Sequence, residues 1–105
     1  MKKTMIQLKE LFYGLIDKKI TYDEFEKKAS QIRKTKLVKG YLHGVKAIIR
    51  GRKKKFAVDP LNLSKDEAKS ILRMIRNNVR NRYLPEFEKG YLYAWRDYLT
   101  HKKFK

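Results

Sequence analysis

The chain has 105 residues, 28 of them Lys or Arg against 11 Asp or Glu, for a formal net charge of +17. With 42% hydrophobic and 12% aromatic residues it can build one modest core, which argues against disorder throughout and against a second domain. It contains no cysteine, so disulfides, thiolate chemistry and the usual zinc ligand sets are excluded together.

The opening Met1-Lys-Lys3 has the basic start of a signal peptide, yet Gln7, Lys9 and Glu10 interrupt the apolar stretch that export needs. No run approaches the roughly 18 apolar residues of a membrane span, so no membrane partner is expected and a cytoplasmic setting is. Leu8, Leu11, Phe12, Leu15 and Ile16 fall at helical spacing and predict a first helix ending near Asp17 to Lys19. Thr21-Tyr-Asp-Glu24 then reads as a capping box, in which hydroxyl and carboxylate each satisfy a free backbone amide at a helix start.

The second helix turns Tyr22, Phe25, Ala29 and Ile32 inward, and two helices so closely joined make an antiparallel hairpin over residues 1–33. Leu8-Lys-Glu-Leu11, Asp17-Lys-Lys-Ile-Thr21 and Asp23-Glu-Phe25-Glu-Lys-Lys28 together resemble the short helical hairpin known as the SHOCT domain. The resemblance covers residues 8–28, about a fifth of the chain, and implies the hairpin shape. SHOCT hairpins usually close a longer protein and are thought to mediate association, whereas this one opens the chain, so no role is carried over.

From Gln31 to Val58 there is no acidic residue. Residues 34–50 predict a basic helix on which Lys36, Lys39, His43, Lys46 and Arg50 line one face, while Val38, Tyr41, Leu42, Val45, Ile48 and Ile49 form the apolar one. His43 has no second ligand at metal spacing and belongs to the basic face. Gly40 and Gly44 cost this helix about 1 kcal/mol each relative to Ala. They either admit a neighbouring helix closely, let a phosphate approach, or break the segment so that the helix begins near Tyr41.

Residues 51–63 read as a linker: Arg52, Lys53, Lys54 and Lys55 form a basic run, Phe56-Ala-Val58 is short and apolar, and Asp59-Pro60 announces a turn. Only Lys55 to Val58 has any extended character. Ser64-Lys-Asp-Glu67 is a second capping box, and Ala68, Ile71, Leu72, Ile75 and Val79 supply the buried stripe of a fourth helix. On it Lys69, Arg73, Arg76 and Arg80 recur at spacings of four, three and four, a second basic rail. Asn77, Asn78 and Asn81 could touch bases or solvate the helix end.

Pro85 marks the first turn of a last helix, where its missing amide costs nothing. Phe87, Tyr91, Leu92, Tyr93, Trp95, Tyr98 and Leu99 make that helix apolar around most of its circumference, so it either runs through the middle of the bundle or offers a flank for self-association. The fold class expected is all-α, a compact bundle of about five helices with one basic loop, the last two helices occupying 64–101.

Lys and Arg at helical spacing can track a sugar-phosphate backbone and displace its counterions, so the expected function is binding of nucleic acid, DNA or RNA, without sequence preference. The candidate contacts are Lys36, Lys39, Lys46, Arg50, Arg52 to Lys55, Lys69, Arg73, Arg76 and Arg80, with the third and fourth helices converging on one wall. Tyr13, Tyr41, Phe56, Tyr83, Tyr93 and Phe104 could stack on unpaired bases if exposed. The role would be coating, compacting or scaffolding, in a nucleoid, ribonucleoprotein or virion; the wealth of Lys, Ile and Tyr leans toward a thermophile.

A second reading is enzymatic. Arg96-Asp-Tyr-Leu-Thr-His101 resembles the motif of HEPN ribonucleases, small helical bundles that cleave RNA, which implies Arg96 and His101 as a catalytic pair with Asp97 in support. Glu26-Lys-Lys28 fits part of a nuclease signature without the accompanying acidic residues. No phosphate loop, nucleophile motif or metal cluster is present in the sequence pattern, and no cofactor is expected.

Overall fold

A computed structural model describes residues 2–50 and 63–101, with side chains from Thr4 onward. The basic run Arg52 to Lys55, Phe56 to Val58 and Phe104 lie outside the described residues. The described residues form five helices: α1 (Lys2–Ile16), α2 (Tyr22–Ala29), α3 (Lys36–Ile49), α4 (Lys65–Val79) and α5 (Glu86–His101). The all-α expectation holds, and the described residues contain no strand.

Local chemistry fixes the helix ends. Thr21 Oγ1 accepts from the Glu24 amide and Glu24 Oε1 from the Thr21 amide, both at 3.2 Å; Ser64 and Glu67 repeat the exchange at 3.1 Å. Thr35 caps α3 by accepting from the Val38 amide. At the end of α1 the Lys19 amide donates to Gly14 O and the Lys18 amide to Leu15 O, the paired bonds of a Schellman turn. Its left-handed position is held by Lys18 at φ 61°, where glycine would carry no steric cost.

α5 is the central strut. It packs chiefly on α3 and also on α4 and α1, while α2 leans on α1. Its residues Tyr91, Leu92, Ala94, Trp95, Tyr98 and Leu99 are buried together with Leu8, Phe12, Phe25, Tyr41, Ile48 and Ile75. The aromatic stripe that had two readings therefore lies inside the domain, with Phe87 left at its exposed end.

Glycine explains how close α3 and α5 come. A Cβ added at Gly40 would stand 1.9 Å from Phe87 O, one at Gly90 would stand 2.0 Å from Leu37 O, and one at Gly44 would meet the Ala94 Cβ at 2.7 Å. The two backbones meet with no side chain between them. Of the three roles open to Gly40 and Gly44, tight helix packing is the one observed, and α3 continues through both.

A polar pair crosses the same interface. The Tyr41 hydroxyl donates to Asp97 Oδ2 at 2.7 Å in a buried site, and Asp97 is only 3% exposed. Burial, reinforced by the Asp97 charge and this hydrogen bond, pushes the Tyr41 phenol far above its ordinary range.

Candidate nucleic-acid interface

Helical spacing places the cations of α3 and α4 on solvent faces because the opposite faces are consumed by the core. Lys36, Lys39, His43, Lys46 and Arg50 are all exposed along α3, as are Lys69, Arg73, Arg76 and Arg80 along α4. None of these Lys and Arg side chains has a carboxylate at ion-pair distance among the described residues. Their charge faces water, which is the costly arrangement for a chain of this net charge and the useful one for a polyanion.

The two rails border separate hollows. Lys39, His43 and Lys46 edge a cleft of about 410 Å³ between α2 and α3, whereas Lys69, Arg73, Arg76 and Arg80 border one of about 290 Å³ on α4 with Leu72 and Asn77. α3 and α4 each pack on α5 and make little contact with one another. Each rail thus borders a hollow of its own.

The α2–α3 cleft contains more than cations. Phe25, Ala29, Leu42 and Phe87 give it an apolar floor, and Glu26 is a carboxylate on its rim. The Tyr22 phenol is pushed up, first by burial and then by its hydrogen bond to Glu26. Lys34 spends its ammonium on the carbonyls of Ala29 and Ile32 at the end of α2. A larger hollow of about 810 Å³ between α1 and α2 mixes Glu10 with Lys19, Lys28 and Arg33 and has no aromatic wall.

Of the aromatic residues offered for stacking, Tyr41 is in the core, Tyr13 lies flat against His101 at 3.9 Å, and Tyr93 sits beneath the Arg96 guanidinium. Among the described ones Tyr83 is open, 81% exposed in the turn after α4 with the Arg82 guanidinium 5.4 Å from its ring. Asn81 accepts from the Tyr83 amide and so shapes this turn.

Arg96 and His101 are engaged with different partners. Arg96 donates to Asp97 Oδ1 at 3.2 and 3.3 Å, while His101 Nε2 is 3.0 Å from the carboxylate of Asp17, in the turn after α1. Five helical positions rotate one residue from the other by about 140°. Asp97 stays beside Arg96 through Oδ1 and accepts from the buried Tyr41 hydroxyl through Oδ2.

Sequence reasoning missed the cleft and its residues Glu26, Leu42 and Phe87 as a set, because α2 and α5 contribute to it from far along the chain. It also missed Gly90 as the counterpart of Gly40; the recurrence of small residues at Gly90 and Ala94 was the available signal. Among the described residues no group of His, Asp or Glu is placed to hold a metal, and no helix is long and apolar enough to cross a membrane. Comparison with known proteins gave no match to a family model, a curated protein or a solved structure.

Proposed function

We propose that this protein binds nucleic acid, DNA or RNA, through its phosphates and without strong sequence preference, in a coating, compacting or scaffolding role. One observation carries the proposal: the cations of α3 and α4 form two exposed rows uncompensated by carboxylates among the described residues. Rows of this kind neutralise successive phosphates and release their counterions, and Arg adds two-pronged hydrogen bonds to phosphate oxygens. Phosphate contacts fix position without reading sequence, which suits a coating role in a nucleoid, ribonucleoprotein or virion. Self-association through α5 has less to draw on, since its aromatic stripe is spent in the core.

The test is a binding titration with duplex DNA, single-stranded DNA and RNA at several salt concentrations. Affinity should fall by roughly 10³ or more between 50 and 200 mM salt if about six phosphates are engaged. Replacing Arg73, Arg76 and Arg80 with Gln should weaken binding uniformly across sequences and flatten the salt dependence. A steep preference for one sequence, or affinity indifferent to salt, would refute the proposal.

A further inference from the structure

We infer that the cleft between α2 and α3 receives an unpaired base of a single-stranded nucleic acid, with the flanking phosphates on Lys39 and Lys46; the inference rests on the phosphate-binding function proposed above and adds strand preference to it. The cleft, at about 410 Å³, falls within the ~300–1,000 Å³ range of small-ligand sites. Its chemistry is divided in the way a nucleotide is divided. Phe25, Ala29, Leu42 and Phe87 supply an apolar floor, and Lys39 and Lys46 supply charge at its edge. The α4 hollow has comparable charge but no aromatic wall.

Phe87 is the telling residue. It stands 40% exposed at the start of a helix whose other large apolar side chains are mostly buried, and its ring lies tilted against His43 at 5.6 Å. A base laid against Phe87 and His43 would cover that apolar surface, and stacking of this kind tolerates any base because every base has a π face. Lys39 and Lys46 are two helical turns apart, about 10 Å, with His43 between them. The cations therefore bracket the ring pair, as phosphates bracket a base.

Glu26 argues for a base rather than for a bare phosphate. A carboxylate on the rim repels a phosphate oxygen but accepts from the N–H groups on a base edge. Lys34 is already committed to backbone carbonyls, so phosphate contact falls to Lys39 and Lys46. Bases in a duplex are stacked and paired and cannot enter a cleft of this kind, whereas those of a single strand can be splayed out. The site thus distinguishes single strands from duplexes without reading sequence strongly.

Fluorescence anisotropy can test this with three probes: a mixed-sequence single-stranded dodecanucleotide, its duplex, and inorganic polyphosphate as a polyanion without bases. The wild-type protein should bind the single strand more tightly than the duplex. Phe87→Ala should weaken single-strand binding about tenfold or more, leave polyphosphate binding unchanged, and be rescued by Phe87→Tyr. His43→Ala, at an exposed side chain of the basic face, should weaken single-strand binding more than polyphosphate binding, and unchanged far-UV circular dichroism and melting temperature certify both folds. If Phe87→Ala and His43→Ala bind the single strand as the wild type does, or lose both polyanions equally, the base site is overturned while phosphate binding stands. If the wild type binds none of the three probes, the function proposed above fails as well.

Discussion

Gly40→Ala should destabilise the protein, although a methyl group on an exposed helix ordinarily stabilises it. Helix propensity alone favours Ala over Gly by about 1 kcal/mol. At Gly40, however, the new Cβ would arrive 1.9 Å from Phe87 O, where a relaxed carbon–oxygen contact is about 3.3 Å. The obstacle is backbone, so α3 and α5 must move apart by more than about 1 Å, loosening the contacts around Tyr41, Ile48 and Leu92. Overpacking costs about 1–3 kcal/mol when side chains can yield, and here nothing so compliant is in the way, so the cost should reach at least the top of that range. After the propensity gain, the net loss is about 2 kcal/mol or more.

That loss is a substantial part of the roughly 5–15 kcal/mol holding a domain of this size together, and should lower the melting temperature by about 10 °C. Gly14→Ala is the internal control. Its Cβ would rest 3.6 Å from an Ile20 side-chain carbon, an ordinary contact, so the propensity gain should survive and stabilise by up to about 1 kcal/mol. Urea unfolding followed by circular dichroism compares the two directly. A Gly40→Ala midpoint equal to or above that of Gly14→Ala would refute the backbone-to-backbone account. The Gly40→Ala, Gly90→Ala double variant should cost less than the sum of its parts, because one separation relieves both clashes.

Tyr41→Phe removes a buried partner of Asp97 and should cost about 1–3 kcal/mol at neutral pH. It should also alter the alkaline limb of stability. Unfolded tyrosine ionises near its ordinary value of 10.0 while folded Tyr41 stays protonated, so its contribution is complete below that pH and declines above it, by about 1.4 kcal/mol per pH unit. The variant should therefore lose stability less steeply above pH 10 than the wild type; parallel curves from urea melts would contradict the assignment. Lys18→Gly should stabilise by a few tenths to about 1 kcal/mol by relieving the left-handed turn after α1, and a lower melting temperature would count against it. His101→Ala should leave nucleic-acid affinity intact and cost about 0.5–1 kcal/mol through lost contacts to Asp17 and Tyr13. Should the wild type cleave RNA and that variant bind without cleaving, the ribonuclease reading would replace the one preferred here.

The features legible in the sequence are those decided within a few residues. Thr21 and Glu24, or Ser64 and Glu67, close their capping boxes across three positions, so neither needs the rest of the fold to be recognised. The exposed rails were legible for the complementary reason: Lys and Arg stay in water wherever the apolar face is buried, and helical spacing separates the two faces. Their arrangement relative to each other was not, because it depends on where α3 and α4 cross α5. For α3 that crossing is set by Gly40 against the Phe87 backbone, Gly90 against the Leu37 and Tyr41 backbone, and Gly44 against Ala94, a match between segments about fifty residues apart that spacing within either helix does not contain. The same limit hid the cleft, whose floor joins Phe25 of α2, Leu42 of α3 and Phe87 of α5. The partners of Arg96 and His101 were hidden in the same way: five helical positions turn His101 toward Asp17, just past α1, and leave Arg96 over Tyr93. The residues that hold the helices together so closely are therefore the ones that decide what the cationic faces can grip. An α3 held backbone to backbone against α5 presents Lys39, His43 and Lys46 beside Phe87 at a fixed spacing, and a loosened interface would keep the charge while losing that geometry.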